Sequence, residues 1–161
     1  MLARPAHMLV CLLGACGLLA ACATSLRELR ACGDQAELAE LLRDERSWVR
    51  EEAALRLGEL GGEAPARLLE SILQDERERW YVRAAAARAL SRIGDARSFG
   101  LLSGLAARPE LEPEIKIALI EALCACGPEQ EALQSIAALA GDQDLLVAAL
   151  ASSRMRVRCA E

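Results

Sequence analysis

A segment of this chain recurs every 33 residues without a gap: Val49–Gly61, Val82–Gly94 and Ile115–Gly127. Each copy opens with a β-branched residue and a cation (Val49-Arg50, Val82-Arg83, Ile115-Lys116). Each then carries small and apolar residues at helical spacing and closes on glycine. A fixed period of this size marks stacked supersecondary units, each too thin to bury its apolar face alone. The expected fold class is all-α, a short α-solenoid of about four helix pairs. The second helices fall near 49–61, 82–94 and 115–127, with a degenerate fourth unit over 144–155. A chain of this kind is expected to bind rather than to catalyse.

Composition agrees with thin layers. Hydrophobic residues make up 53% of the chain but aromatics only 2%, so the core must come from Leu, Ala, Val and Ile. From Cys22 onward there are 18 basic and 24 acidic residues, a net charge of −6. Nucleic acid calls for a concentrated basic footprint, and a polybasic hold on anionic lipid calls for the same. Neither is expected.

Helix signals divide the rest of the body. Ser25 with Glu28, and Asp34 with Glu37, have the spacing of capping boxes, opening helices at about 26–32 and 35–43. Leu38, Leu41 and Leu42 share a face of the latter. The later first helices read as 66–73, 98–106 and 129–140, with apolar faces Leu68/Leu69/Ile72, Leu101/Leu102/Leu105 and Leu133/Ile136/Leu139. The second helices are expected to bury Val49, Ala53, Leu57 and Leu60, then Val82, Ala86, Leu90 and Ile93, then Ile115, Leu119, Leu123 and Cys126. Gly61-Gly62, Gly94-Asp95 and Gly127-Pro128 read as helix stops, with glycine in the left-handed cap. The basic end Arg154-Met155-Arg156-Val157-Arg158 is expected to fray and to cap the stack.

The Val-Arg-x-x-Ala-Ala-x-x-Leu-x-x-Leu-Gly pattern resembles the short HEAT-like repeats also found in phycobilin lyases, over about residues 34–155. HEAT units carry an Asp in the inter-helix turn and a cation early in the second helix. Asp44 with Arg50 fits at a spacing of six. Asp75 with Arg83 is two residues longer, and Lys116 follows Glu110 instead. The resemblance implies a structural ladder of Asp44, Arg50, Asp75, Arg83 and Lys116, bonding turn carboxylates and neighbouring repeats. It also implies that the second helices line the concave side. It is nearly silent on function, because stacking defines the family.

Residues 1–21 read as a targeting segment. Arg4 and His7 precede an apolar run from Met8 to Leu19, too short for a comfortable membrane span. Leu19-Ala20-Ala21-Cys22 resembles the lipobox of bacterial lipoproteins. That resemblance implies a lipid anchor on Cys22, with residues 22–25 as anchor and short tether and 26–161 as the repeat domain. Leu13-Gly14-Ala15-Cys16 has the same form, which keeps Cys16 as a rival, and an ordinary cleaved signal or an uncut anchor, with Cys22 incidental, is the plain alternative. Ala23 lacks the Asp that retains many lipoproteins at the inner membrane, so the outer membrane is favoured, facing the periplasm. Only Ala23 and Thr24 then separate Cys22 from Ser25, on the order of 10 Å of reach.

Catalytic chemistry has little to work with. His7 is the sole histidine and lies in the targeting segment, so no His-based triad or His metal site is expected. No cofactor and no small-molecule substrate are expected. Of the seven cysteines, Cys126 reads as a small core residue and Cys124 as a packing position matching Gly58 and Ser91. Neighbouring thiols of a helical Cys-x-Cys face apart, so no metal or redox pair follows. Pairing of Cys159 with either stays open, as does the state of Cys32.

Candidate binding residues lie on the second helices. The repeat step aligns Leu55, Arg88 and Glu121 in one row and Glu59, Arg92 and Ala125 in another. Arg88–Glu121 and Glu59–Arg92 could be interlayer ion pairs. Trp48, Trp80 and Tyr81 sit at matching helix starts. They can pack across the turn as a hydrophobic staple or anchor an interface, where Trp and Tyr are enriched; both readings stand. The expected function is a membrane-tethered scaffold or accessory subunit for a protein partner at the envelope. A lyase-like activity and a self-associating envelope role are the alternatives.

Overall fold

A computed structural model describes residues 34–158, with side chains through Met155. The expectations on the targeting segment, Cys16, Cys22, Ser25–Glu28, Cys32 and Cys159 lie outside the described residues. Within them the chain is all helical: α1 (Gln35–Leu41), α2 (Ser47–Leu60), α3 (Glu63–Gln74), α4 (Trp80–Ile93), α5 (Phe99–Ala106), α6 (Pro113–Cys126), α7 (Glu129–Leu139) and α8 (Leu145–Arg158). A short 3-10 turn, Ala96–Ser98, leads into α5. The helices form four pairs, and the second members stack side by side, α2 on α4 and α4 on α6, with α8 after α6.

The repeat period reappears in these bounds. α2, α4 and α6 begin at residues 47, 80 and 113, each 33 residues after the last. The third residue of every second helix is Val49, Val82, Ile115 or Val147, and all four are fully buried. One turn on, Ala53, Ala86, Leu119 and Ala151 are buried too. α4 is the central layer and is buried nearly all round, from Val82 to Ala87 and at Ala89 and Leu90. Its alanines let both neighbours approach closely. A Cβ on Gly58 of α2 would lie 2.6 Å from the Cα of Ala89, so only glycine fits this crossing.

Several details differ from the sequence reading. Leu60 is 45% exposed rather than buried, because it ends α2 and no earlier layer among the described residues covers it. Ile93 is half-buried. The matching Cys126 is buried against α4, its thiol donating to the Leu90 carbonyl at 3.5 Å. α3 starts at Glu63, three residues early, because Gly61 and Gly62 have positive φ and turn the chain at once. Pro65 is tolerated there, since a first-turn N–H has no helical partner. Gly94 takes the left-handed cap, but Gly127 is extended, φ −108°. Gly127 is small for another reason: a Cβ there would fall 2.2 Å from the Phe99 ring. α1 stops at Leu41, with Leu38 and Leu42 buried and Leu41 half-buried. The C-terminal helix runs from Leu145 to Arg158. Asp144 starts it by accepting from the N–H groups of Leu146 and Val147.

Candidate functional site

The ladder cations line up along the stack, but their carboxylate partners are not those expected. Arg50 donates from Nη1 to the backbone carbonyls of Asp44 and Glu45, at 2.6 and 3.0 Å. Its Nε and Nη2 grip both oxygens of Glu78 in the next repeat, at 2.6 and 2.7 Å. Arg83 donates to the Leu73 carbonyl at 3.0 Å and reaches Glu112 at 3.5 Å. Lys116 donates to the Pro109 carbonyl at 3.0 Å and to Asp142 at 2.7 Å. Each cation therefore closes its own turn through main-chain oxygens and ties it to a carboxylate one repeat on. The side chains of Asp44 and Asp75 serve their own turns instead. Asp44 binds Arg46, and Asp75 accepts the Arg77 N–H. Glu110 pairs with Arg108.

Burial would raise the Glu78 carboxyl, but the Arg50 hydrogen bonds outweigh it and hold the group below the usual carboxylate range. The hydrogen bond from Lys116 does the same for Asp142, and that from Arg46 for Asp44.

This ladder fixes the helix starts, and the helix starts carry the aromatic residues. With the third residue of each second helix in the core, the first two turn away from it, at 100° per residue. Those pairs are Ser47/Trp48, Trp80/Tyr81, Pro113/Glu114 and Leu145/Leu146. Trp48 and Trp80 are 38% and 44% exposed. The Arg46 guanidinium stacks 5.3 Å from the Trp48 ring centre, a cation–π contact. The Trp80 and Tyr81 rings meet edge to face at 5.5 Å. The Tyr81 hydroxyl donates to Ser47 Oγ of the preceding repeat. Three aromatics are thus held in place by contacts inside the chain while two of them face outward. Tyr81 bridges layers, and the tryptophans project.

Further along α4, Arg88 and Arg92 continue the Tyr81 stripe and are exposed. Arg92 pairs with Glu59 at 3.4 Å. The other row forms no such pair: Arg88 acts instead on Glu51, whose carboxyl burial raises against the pull of Arg88. Leu145 and Leu146, which the sequence pattern does not single out, are at 85% and 65% the most exposed large apolar side chains among the described residues. Their register one step after Pro113/Glu114 was the available signal. A groove of about 590 Å³ lies between the third and fourth turns, lined by Ala106, Pro109, Leu111, Leu139, Gly141 and the Lys116–Asp142 rung among others.

A family model described as HEAT repeats matches residues 18–91 and again residues 36–123. The chain belongs to the HEAT-repeat family. HEAT repeats commonly mediate protein–protein interaction. A comparison with curated proteins finds no match. As a HEAT-repeat protein it offers helix edges and faces for contact, and the aromatic edge is the most distinctive of these.

Proposed function

We propose that this HEAT-repeat chain is a membrane-tethered scaffold or accessory subunit of the bacterial envelope, not an enzyme, and that it captures a protein partner on the Trp48–Trp80–Tyr81 edge. Arg88 and Arg92 extend the contact along α4. The observation that carries this reading is the exposure of Trp48 and Trp80 in a chain with only four aromatic residues. Exposed aromatics held rigidly lose little entropy on binding and are enriched among interface anchors. The tether rests on the sequence: the lipobox-like Leu19-Ala20-Ala21-Cys22, with Cys16 as the rival site. Ala23 favours the outer membrane. Nucleic acid, a cofactor and a small-molecule substrate have no part in this reading.

Two experiments test it. Intact mass of the protein from its native membrane should show a chain starting at Cys22 with diacylglycerol and acyl mass; an unmodified full-length chain would remove the tether. Trp80→Ala with Arg88→Ala should weaken capture of the partner about tenfold or more while circular dichroism stays unchanged. Full capture by the folded double variant would remove this edge from consideration.

A further inference from the structure

Arg83 holds the register on α4 that Arg50 holds on α2, but its turn does not supply the same acceptor. Glu78, whose two oxygens grip Arg50 at 2.6 and 2.7 Å, is replaced one repeat on by Leu111, which is buried in the core. The carboxylate that does reach Arg83 is Glu112, which meets Nη1 alone at 3.5 Å and is 44% exposed. Nε is committed to the Leu73 carbonyl at 3.0 Å, and Nη2 is buried with no acceptor among the described residues. The Arg83 side chain is 5% exposed. It lines a cavity of about 180 Å³ with Glu76, Arg108, Glu110, Leu111 and Glu112. A buried donor without an acceptor is costly and calls for an explanation.

We propose that Arg83 is a carboxylate-binding site for an acidic side chain of the protein partner, with Glu112 as its displaceable occupant. The assignment to a partner rests on the aromatic-edge reading above. Arg50 with Glu78 shows, within this chain, what fits an arginine at this register. One carboxylate takes two parallel hydrogen bonds, the strong geometry for such a pair. At Arg83 the Nη1 and Nη2 groups remain for that grip once the half-exposed Glu112 turns to solvent. One carboxylate then replaces another, so the charge of the cavity is unchanged. Glu76 and Glu110 do not compete for Arg83, because Arg108 holds both, at 2.7 and 3.1 Å. A neutral acceptor in place of Glu112 would leave the Arg83 charge buried without a counter-ion. A phosphate would bring extra negative charge against Glu76 and Glu110. Trp80 lies three residues before Arg83, so the two share a side of α4. A segment anchored on Trp80 presents its acidic residue one helical turn along, about 5 Å away.

The test uses the full chain in mild detergent, with sodium formate as the probe and sodium chloride as the control for ionic strength. Arginine Nε–H resonances are followed by proton–nitrogen NMR. Arg83 should shift with formate and not with chloride, with a midpoint on the order of 50 mM. Glu112→Gln should lower that midpoint about fivefold. Arg50, sealed by Glu78, should not move. The source of the carboxylate is read by panning a random dodecapeptide library on the wild type. Enriched peptides should carry Asp or Glu in excess of the library and be lost on Arg83→Met, with circular dichroism confirming that this variant is folded. Their loss on Trp48→Ala with Trp80→Ala would join the site to the aromatic edge; their retention there would keep the site and remove the edge. Formate binding without acidic enrichment would overturn the partner assignment and give the site to a small free acid. No formate-specific shift at Arg83 in either chain, or an equal shift at the exposed Arg77, would overturn the site itself.

Discussion

Arg50 grips Glu78 with two hydrogen bonds, 2.6 and 2.7 Å, from one repeat to the next. The equivalent rung one layer on is looser: Arg83 meets Glu112 once, at 3.5 Å. The carboxylates differ too, since the Glu78 side chain is 7% exposed and that of Glu112 is 44% exposed. Arg83 also keeps a buried Nη2 with no partner. The two rungs occupy the same register but carry different loads.

Arg50→Met should therefore cost about 3 kcal/mol, because it leaves a nearly buried carboxylate unpaired and strips donors from two turn carbonyls. Arg83→Met should cost about 1 kcal/mol, since Glu112 can turn to water and an orphaned donor disappears. Urea unfolding of the two variants measures this difference; equal losses would mean that the rungs are equivalent and the geometry misleads.

The ladder acids also set a pH dependence. Glu78, Asp142 and Asp44 have folded-state pKa values held below their ordinary ones. Their contribution is fully present above the unfolded carboxylate range, about 4, and is lost as pH falls through the lower folded values. Thermal stability should stay nearly flat from about pH 7 to 5 and fall below about pH 4. Asp142→Asn should lower stability at neutral pH and reduce the acid loss. A variant with the wild-type acid slope would show that this rung does not contribute.

Gly58 and Ala89 make the tightest crossing between second helices. Gly58→Ala gains about 1 kcal/mol of helix propensity, but its Cβ meets backbone, which cannot rotate away. Overpacking should win, for a net loss of about 1–2 kcal/mol, read as a drop in Tm of about 3–8 °C. A raised Tm would show that α2 and α4 separate easily.

Cys124 and Cys126 should behave differently despite their spacing. Burial, with the nearby charges of Asp95 and Glu70, pushes the Cys126 thiol up to about 11, whereas Cys124 is half-buried. Maleimide labelling of the native protein followed by peptide mapping should modify Cys124 well before Cys126. Equal labelling would mean that α6 opens readily.

The second helices were legible in the sequence because three signals coincide there. A β-branched residue enters the core at the third position, a cation follows it, and a glycine closes the helix. The ladder cations Arg50, Arg83 and Lys116 followed from the same spacing. Their carboxylate partners did not, because Glu78, Glu112 and Asp142 come from the following repeat, and the direction of a side chain across a turn is not written in the period. Leu145 and Leu146 were hidden for a different reason. Leu145-Leu146-Val147-Ala148-Ala149-Leu150 is apolar throughout, so no polar stripe marks which side faces out. Only the register of Val147 with Ile115, Val82 and Val49 separates inward from outward. Gly127 read as a cap because glycine after a helix is commonly one; the Phe99 ring gives it another purpose.

The most direct test of the proposed partner-binding edge is photo-crosslinking in the native cell, with a photoreactive residue placed at 48, 80 or 67. Position 67 is an exposed arginine on α3, a first helix away from the aromatic edge. The account predicts one discrete protein adduct from positions 48 and 80 and none from 67. Equal adducts from all three, or an adduct from 67 alone, would contradict it.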